Sequence, residues 1–180
     1  MATTARLFVA VDLPAAMLSV LKVMQPPPQP GLRLIPTAQM HLTLHFLGEM
    51  PVEPVVVALT GFAGSTFTLT VDGVGCFPSA TRPSILWTGF RPSLELTNLH
   101  KALGAALATT GFQPESRSYH PHITLARCRP FLRRDVVTAF LNQQEPSPPT
   151  SFVVDHVSLY SSTLRPDGAE YREELRIPLF

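Results

Sequence analysis

The chain has 180 residues, of which 45% are hydrophobic and 15% are charged, and its formal net charge is +1. This length and composition predict one domain with a sizeable buried core and exclude a disordered chain. The near-neutral charge excludes a broad basic surface for duplex nucleic acid and predicts few phosphate contacts beyond a terminal one. Cys76 and Cys128 lack metal-type spacing. The N-terminus is unlike a signal peptide, and no apolar run is long enough to cross a membrane. Together with the spacing of the cysteines, these features predict a cytoplasmic protein without a membrane partner.

Strand-like and helix-like periods follow one another along the chain. The predicted elements are, in order, a strand at 6–13, a helix at 14–25, strands at 32–35 and 41–47, a helix at 52–64, strands at 67–77 and 84–90, a helix at 93–111, a strand at 118–128, a helix at 131–144, and strands at 152–164 and 171–180. Proline-rich loops are expected at 26–31 and 145–151. Because strands outnumber helices and several are adjacent, an α+β fold with antiparallel sheets is favoured over a parallel one.

One four-residue pattern occurs twice, as HLTL from His41 to Leu44 and as HITL from His122 to Leu125. Because side chains at i and i+2 of a strand share a face, each strand would present a histidine beside a threonine, with aliphatic residues anchoring the other face. Strict alternation predicts a polar face on each strand. On the first strand this face carries His41, Thr43 and His45, and on the second it carries His120, His122 and Thr124. Each element also lies between two predicted helices, which predicts two similar lobes.

Two histidines and two threonines that face one cleft suit phosphodiester chemistry. A neutral imidazole can take a proton from an attacking hydroxyl or water, and a protonated one can donate a proton to the leaving oxygen. The hydroxyl groups of Thr43 and Thr124 can donate hydrogen bonds to the non-bridging oxygens. An acid and a base on opposite sides of the phosphorus would give in-line displacement without a metal.

Three other interpretations fit the same residues. The pairs His41–His45 and His120–His122 could bind zinc, although the carboxylate that often completes a catalytic zinc site is not evident beyond Glu49. An RNA-binding module without turnover is a second interpretation, but it would not need both complete elements. The third is a pair of strands whose polar faces are inert and solvated.

Segments spread over nearly the whole chain match one known family. They are RLFVAVDLP, HLTLHFLGE, FTLTVDGVGCF, ILWTGF, HPHITLAR and SLYSSTL with YREELRIPL. By these segments the chain resembles the two-histidine phosphoesterase superfamily, and most closely the bacterial RNA 2',3'-cyclic phosphodiesterases, once called 2'-5' RNA ligases. There the two elements extend to H-x-T-x-x-F and H-x-T-x-x-R, and both are complete here, ending at Phe46 and Arg127.

The resemblance implies an α+β, bilobal fold in which residues 1–180 form a single domain of two pseudo-symmetric lobes, each an antiparallel sheet flanked by helices, with the active-site cleft between them. It implies hydrolysis of RNA 2',3'-cyclic phosphate ends to 2'-phosphate, with His41 as general acid and His122 as general base. Arg127 would clamp the phosphate, and Phe46 would stack on the terminal base. The resemblance implies no cofactor and no protein partner, and the internal symmetry makes a monomer sufficient.

The same site could instead act on a small cyclic nucleotide or a 2'-5' oligonucleotide, or carry out reversible RNA ligation. Loops around 26–31, 78–83 and 129–134 are expected to set this specificity. Phe46 and Arg127 lie five residues after their histidines, so strict alternation would turn both away from the cleft. The equal offset predicts a bulge or a strand end in both elements; the alternatives are a core phenylalanine and a solvated arginine.

The remaining aromatic, histidine and arginine candidates are secondary. Arg117 and Tyr119 are candidates for the RNA path, Phe77 and Trp87 are predicted to pack in the core, His100 and His156 are predicted to be structural, and His45 and His120 have no assigned role.

Overall fold

The fold is described from a computed structural model, which covers residues 3–115, 117–143, 150–165 and 168–180. The strands are β1 (Thr4–Val11), β2 (Leu32–Leu34), β3 (Leu42–Pro51), β4 (Phe67–Ser79), β5 (Arg82–Phe90), β6 (Ile123–Cys128), β7 (Ser151–Val154), β8 (His156–Arg165) and β9 (Gly168–Pro178). The α-helices are α1 (Ala15–Met24), α2 (Val52–Leu59), α3 (Leu94–Ala108) and α4 (Arg134–Leu141), and a turn of 3-10 helix spans Thr37–Gln39.

The strands form two antiparallel sheets, one in each of two lobes. The first sheet has the order β3-β1-β8-β9, and α2 and α3 pack against it. The second has the order β2-β6-β5-β4-β7, with α1 packed on β6 and α4 on β4. The predicted α+β, bilobal fold with antiparallel sheets is therefore confirmed.

The two lobes exchange helices. Helix α1 follows β1 of the first sheet but packs on the second sheet, whereas α3 follows β5 of the second sheet but packs on the first. After α1 the chain adds the short strand β2 to the second sheet and then comes back to the first, where β3 pairs with β1. After α3 it comes back to the second sheet, where β6 pairs with β5. The two paths are thus alike except for β2, and each places one H-x-T strand in its own lobe.

The core of each lobe lies between the sheet and its helices. Helix α3 begins at the N-cap Ser93, whose Oγ accepts a hydrogen bond of 3.1 Å from the backbone N–H of Leu96. Its leucine stripe is buried as the spacing predicts, at Leu96, Leu99, Leu103 and Leu107. Burial of that stripe against the first sheet anchors the helix.

Several predicted strands differ in extent from those observed. The strand predicted at 152–164 is two strands, because the chain leaves one sheet for the other at Asp155: β7 pairs with β4 and β8 pairs with β1. The strand predicted at 118–128 begins only at Ile123, and the H-x-T strand of the first lobe begins at Leu42. His41 and His122 therefore each immediately precede a strand, at the edge of the cleft.

Two predicted helices are shorter at their ends than expected. The helix predicted at 52–64 ends at Leu59, and the one predicted at 131–144 spans Arg134–Leu141. The proline-rich loop predicted at 145–151 lies outside the described residues except for its last two positions. Among the helices described, none combines the length and apolar character that a membrane crossing requires.

Candidate active site

A cleft of about 520 Å³ opens between the two sheets and brings the six predicted site residues together. The first lobe contributes His41, Thr43 and Phe46, and the second contributes His122, Thr124 and Arg127. The two H-x-T elements, distant in sequence, thus face each other across one cavity. Neither Arg117 nor Tyr119 lines it, and the loops 26–31, 78–83 and 129–134, expected to set specificity, contribute no lining residue either.

A β-bulge in the first lobe explains why Phe46 reaches the cleft. In the ladder with β1, Thr43 and His45 oppose consecutive residues, so Leu44 between them is an extra residue. The extra residue reverses the alternation, which puts Thr43 and Phe46 on the cleft side and turns His45 inward. Phe46 is 57% exposed and His45 only 5%. The prediction that His45 shares the polar face of His41 was therefore wrong, as was the alternative that Phe46 is a core residue.

The second lobe contains the same bulge at the equivalent position. Thr124 and Ala126 oppose consecutive residues of β5, so Leu125 is the extra residue. Arg127 thereby joins Thr124 on the cleft side. The bulge predicted from the equal offset of Phe46 and Arg127 is confirmed in both elements.

Both histidines are held by the same backbone hydrogen bond. The Nδ1 atom of His41 donates to the carbonyl of Gln39 at 2.8 Å, and that of His122 donates to the carbonyl of His120 at 2.7 Å. Because a carbonyl oxygen can only accept, the Nδ1 atoms carry the protons. Each imidazole therefore keeps its Nε2 atom available for proton transfer.

Aromatic rings surround His41. The ring stacks on Phe8 with centroids 4.8 Å apart and meets the edge of Tyr171 at 5.4 Å. Burial lowers the pKa of His41 below 6.5, while the Gln39 carbonyl and the negative charge of Asp12 raise it and the charge of His122 lowers it. The two imidazoles are thus electrostatically coupled across the cleft.

The surroundings of His122 are similar, but no described carboxylate is among the groups that act on its pKa. Its ring contacts Phe77 at 5.2 Å and Trp87 at 6.1 Å between centroids. Burial lowers the pKa of His122 below 6.5; the carbonyl of His120 raises it, and the charge of the His120 ring lowers it. Phe77 and Trp87, predicted as core residues, are only partly buried and support this histidine.

A polar network lies beside His41 on the first sheet. Asp12 follows the β1 residue that pairs with Leu42, which makes it the cross-strand neighbour of His41. Its carboxylate accepts hydrogen bonds from His156 Nε2 at 3.0 Å, Ser158 Oγ at 2.7 Å and Tyr160 Oη at 2.6 Å. These three donors fix Asp12 next to His41. His156 is thus structural, as predicted.

A stack of three rings lies behind the two H-x-T elements. His45 and His100 are stacked at 4.1 Å and His100 and Tyr119 at 3.9 Å between centroids. His45 Nε2 donates to the carbonyl of His100 at 2.8 Å, and a Cβ at Gly104 would lie only 3.3 Å from the His45 ring. His45 is therefore a core residue that packs β3 against α3. The sequence alone assigned no role to this residue.

The family model of the 2'-5' RNA ligase superfamily matches residues 13–165. The chain belongs to that superfamily. The family inferred from the paired H-x-T elements is thus confirmed.

Curated relatives within this superfamily are described as RNA 2',3'-cyclic phosphodiesterases. The relative from Escherichia coli K12 is 38% identical over 130 residues, covering 68% of this chain and 71% of its own. The relative from Thermotoga maritima is 32% identical over 149 residues, covering 79% and 76%. That from Methanocaldococcus jannaschii is 26% identical over 168 residues, covering 92% and 96%.

Solved structures in the superfamily share the fold over nearly the full chain. The crystal structure of E. coli LigT complexed with 3'-AMP has a TM-score of 0.74 and 29% identity, covering 98% of this chain and 99% of that one. A structure from Thermus thermophilus has a TM-score of 0.74 and 26% identity, covering 96% and 97%.

Sequence reasoning about this superfamily member missed the arginines that surround Arg127. Arg6, Arg33 and Arg165 also line the cleft, and no Asp or Glu is among the described residues that do so. Arg6 was detectable in principle, since it begins the alternation of RLFVAVDL on the face of Phe8. Arg165 could not be detected from the sequence, because its position at the cleft depends on how β8 and β9 pack beside it.

Proposed function

We propose that the protein hydrolyses the 2',3'-cyclic phosphate at RNA ends to a 2'-phosphate, by metal-independent general acid–base catalysis with two histidines. The observation that carries the proposal is the pair of available Nε2 atoms, one from each lobe, in a single arginine-lined cleft. The relatives described as RNA 2',3'-cyclic phosphodiesterases support this substrate.

In the proposed reaction a water molecule attacks the phosphorus of the cyclic phosphate. Nε2 of His122 accepts a proton from this water, and the bond between phosphorus and O3' breaks on the opposite side. Nε2 of His41 donates its proton to O3', which leaves as a hydroxyl group. The hydroxyl groups of Thr43 and Thr124 and the guanidinium of Arg127 stabilise the charge on the non-bridging oxygens.

The environment of the two histidines supports this division of roles. A general acid must be protonated before the reaction, and a nearby carboxylate favours the protonated imidazole. Asp12 supplies such a charge beside His41 and raises its pKa. Among the residues that the structure describes, no carboxylate acts on the pKa of His122 in the same way. His41 is therefore the better acid and His122 the better base.

The chain's own groups support a metal-independent reaction. The two imidazoles supply the acid and the base, and guanidinium and hydroxyl groups supply the charge stabilisation that a metal often gives. The alternative zinc pair of His41 and His45 is unsuited to chelation, because His45 faces the core and its Nε2 is bonded to the carbonyl of His100.

Product analysis tests the proposal. An RNA oligonucleotide ending in a 2',3'-cyclic phosphate is incubated with the protein and a chelator, and the terminal phosphate is located. We expect a 2'-phosphate, and we expect His41→Ala and His122→Ala each to lower kcat by about 10²- to 10⁴-fold. Phe131→Ala, which removes an exposed ring outside the cleft, is the control. Activity lost with chelator and restored by zinc would disprove the metal-free mechanism, and a 3'-phosphate would disprove the assignment of the leaving oxygen.

A further inference from the structure

The cleft contains more positive charge than the proposed reaction uses. Arg6, Arg33 and Arg165 line it together with Arg127. A terminal cyclic phosphate carries one negative charge, which the fork of Arg127 is suited to bind. Arg165 is paired with Glu170 at 3.1 Å. The guanidinium groups of Arg6 and Arg33 add positive charge to that of Arg127, which favours a ligand with further negative charge. The net charge of the whole chain is only +1, so this concentration is local.

Three of these arginines, Arg6, Arg33 and Arg127, lie close to Tyr171, whose ring contacts His41. Burial raises the pKa of Tyr171, and the positive charges of Arg127, Arg6 and Arg33 oppose that rise, so all three act on the same hydroxyl group. The strand register also places Arg6 near Tyr171, since Arg6 pairs with Ser162 of β8 and Ser162 pairs with Tyr171 of β9. The positively charged region therefore begins one side chain away from His41.

The position of Arg33 is specified by packing between the lobes. Arg33 is the register partner of Arg127 in the β2–β6 ladder. A Cβ at Gly168, at the start of β9, would lie 2.7 Å from Arg33 Nη2, so the guanidinium group lies against the backbone of the first lobe there. The hairpin of β8 and β9 is held in place by Gln39, whose Nε2 donates a hydrogen bond of 3.0 Å to the carbonyl of Ala169. The first lobe thus confines an arginine of the second lobe at the cleft.

We propose that Arg6 and Arg33 form a second anionic subsite, which binds the phosphate on the 5' side of the terminal nucleoside. The proposal rests on the proposed function and narrows its substrate to cyclic ends that carry this second phosphate. The phosphate can be the phosphodiester of an oligonucleotide or a free 5'-phosphate, since both present the same non-bridging oxygens to a guanidinium fork.

Three substrates with the same reacting group separate these possibilities. They are uridine 2',3'-cyclic phosphate, the same nucleotide with a 5'-phosphate, and a dinucleotide that ends in the same cyclic uridine. We expect kcat/KM to be about tenfold higher or more for both substrates that carry the second phosphate, the size of one charge-assisted contact. A higher value for the dinucleotide than for the 5'-phosphate would identify the phosphodiester of an RNA chain as the natural ligand.

The variants Arg6→Gln and Arg33→Gln, singly and together, test the residues. We expect each to reduce the preference for the second phosphate by about three- to tenfold. The preference is a ratio of two kcat/KM values, so a partial loss of folded protein cancels. Arg91→Gln, which removes an exposed arginine paired at 4.0 Å with Asp72 outside the cleft, is the control and should keep the wild-type ratio.

The salt dependence gives an independent readout. The slope of log kcat/KM against log salt should be steeper for the dinucleotide than for the cyclic mononucleotide by about 0.7, the increment expected for one additional phosphate. Equal kcat/KM and equal slopes for all three substrates would overturn the subsite, as would an unchanged ratio in the Arg6→Gln, Arg33→Gln double variant. Failure of the proposed function gives a different result, since none of the three substrates would then be hydrolysed.

Discussion

The hydroxyl group of Tyr119 donates a hydrogen bond of 3.0 Å to the backbone carbonyl of Thr43. Tyr119 precedes His122 by three residues, and Thr43 is the threonine of the other H-x-T element. This bond therefore joins the second H-x-T segment to the first behind the cleft and not through it. In the proposed reaction the two histidines act on opposite sides of one phosphorus atom, so a connection that fixes their separation should matter for the rate.

Tyr119→Phe removes this connection and keeps the aromatic ring. We expect a loss of stability of about 1 kcal/mol, since one part-buried hydrogen bond is removed. We expect kcat to fall about tenfold with little change in KM, because a small displacement between acid and base affects the transition state more than binding. Steady-state kinetics and thermal unfolding measure both quantities. A stability loss of that size with an unchanged kcat would contradict a positioning role.

Asp12→Asn should shift the pH dependence of the reaction. In the proposed reaction His41 is the general acid and must be protonated, so kcat/KM should fall as pH rises through the pKa of His41, which burial places below 6.5. Removal of the negative charge at Asp12 lowers that pKa further, so the alkaline limb should move to lower pH. The acid limb, set by His122, should stay in place.

The matched control for Asp12→Asn is Asp155→Asn. Asp155 bonds the Nδ1 atom of the same His156 but is exposed and is not among the groups that shift the pKa of His41. If both variants move the alkaline limb equally, or neither moves it, Asp12 does not support the acid.

His100 should make the protein less stable in acid. Burial, with a smaller effect of the nearby His45, lowers the pKa of His100 to about 4. The unfolded chain then binds a proton that the folded chain does not, so stability is complete above about pH 6.5 and falls as pH decreases from there toward 4. Because His100 is only part-buried, we expect this loss to be about 1 kcal/mol.

His100→Phe tests this linkage, since phenylalanine keeps a stacked ring between His45 and Tyr119 but does not titrate. Its free energy of unfolding should change less between pH 7 and pH 5 than that of the wild type. Denaturant unfolding at the two pH values measures the difference. The same pH dependence in both proteins would assign the acid sensitivity to other groups.

Phe46→Ala should weaken substrate binding with little effect on folding. Phe46 is 57% exposed at the cleft, so its ring has a free face for a base. Loss of one stacked base should raise KM by about 5- to 100-fold, corresponding to about 1–3 kcal/mol. Phe131→Ala, at a phenylalanine that is 68% exposed and outside the cleft, is the control. An equal KM for Phe46→Ala and wild type would exclude stacking on Phe46.

The sequence predicted the two H-x-T elements and the alternating strands around them because these patterns are local. His41, Thr43, His122 and Thr124 could be grouped from residue type and spacing alone. Strict alternation failed at His45 because a bulge depends on how the partner strand pairs, which spacing does not show. The strand at 152–164 was misread for a similar reason, since the chain changes sheets at Asp155 without a break in its apolar pattern.

By itself, the sequence of this protein determined the fold class and the family, and it predicted the residues that are proposed to carry the chemistry. Each of these follows from short-range periodicity and from complete motifs. Only the tertiary structure decided that the lobes exchange helices, that Asp12 lies beside His41, and that Arg6 and Arg33 approach Arg127. These relations join residues far apart in the chain. Packing and strand register create them, and neither leaves a periodic signal in the sequence.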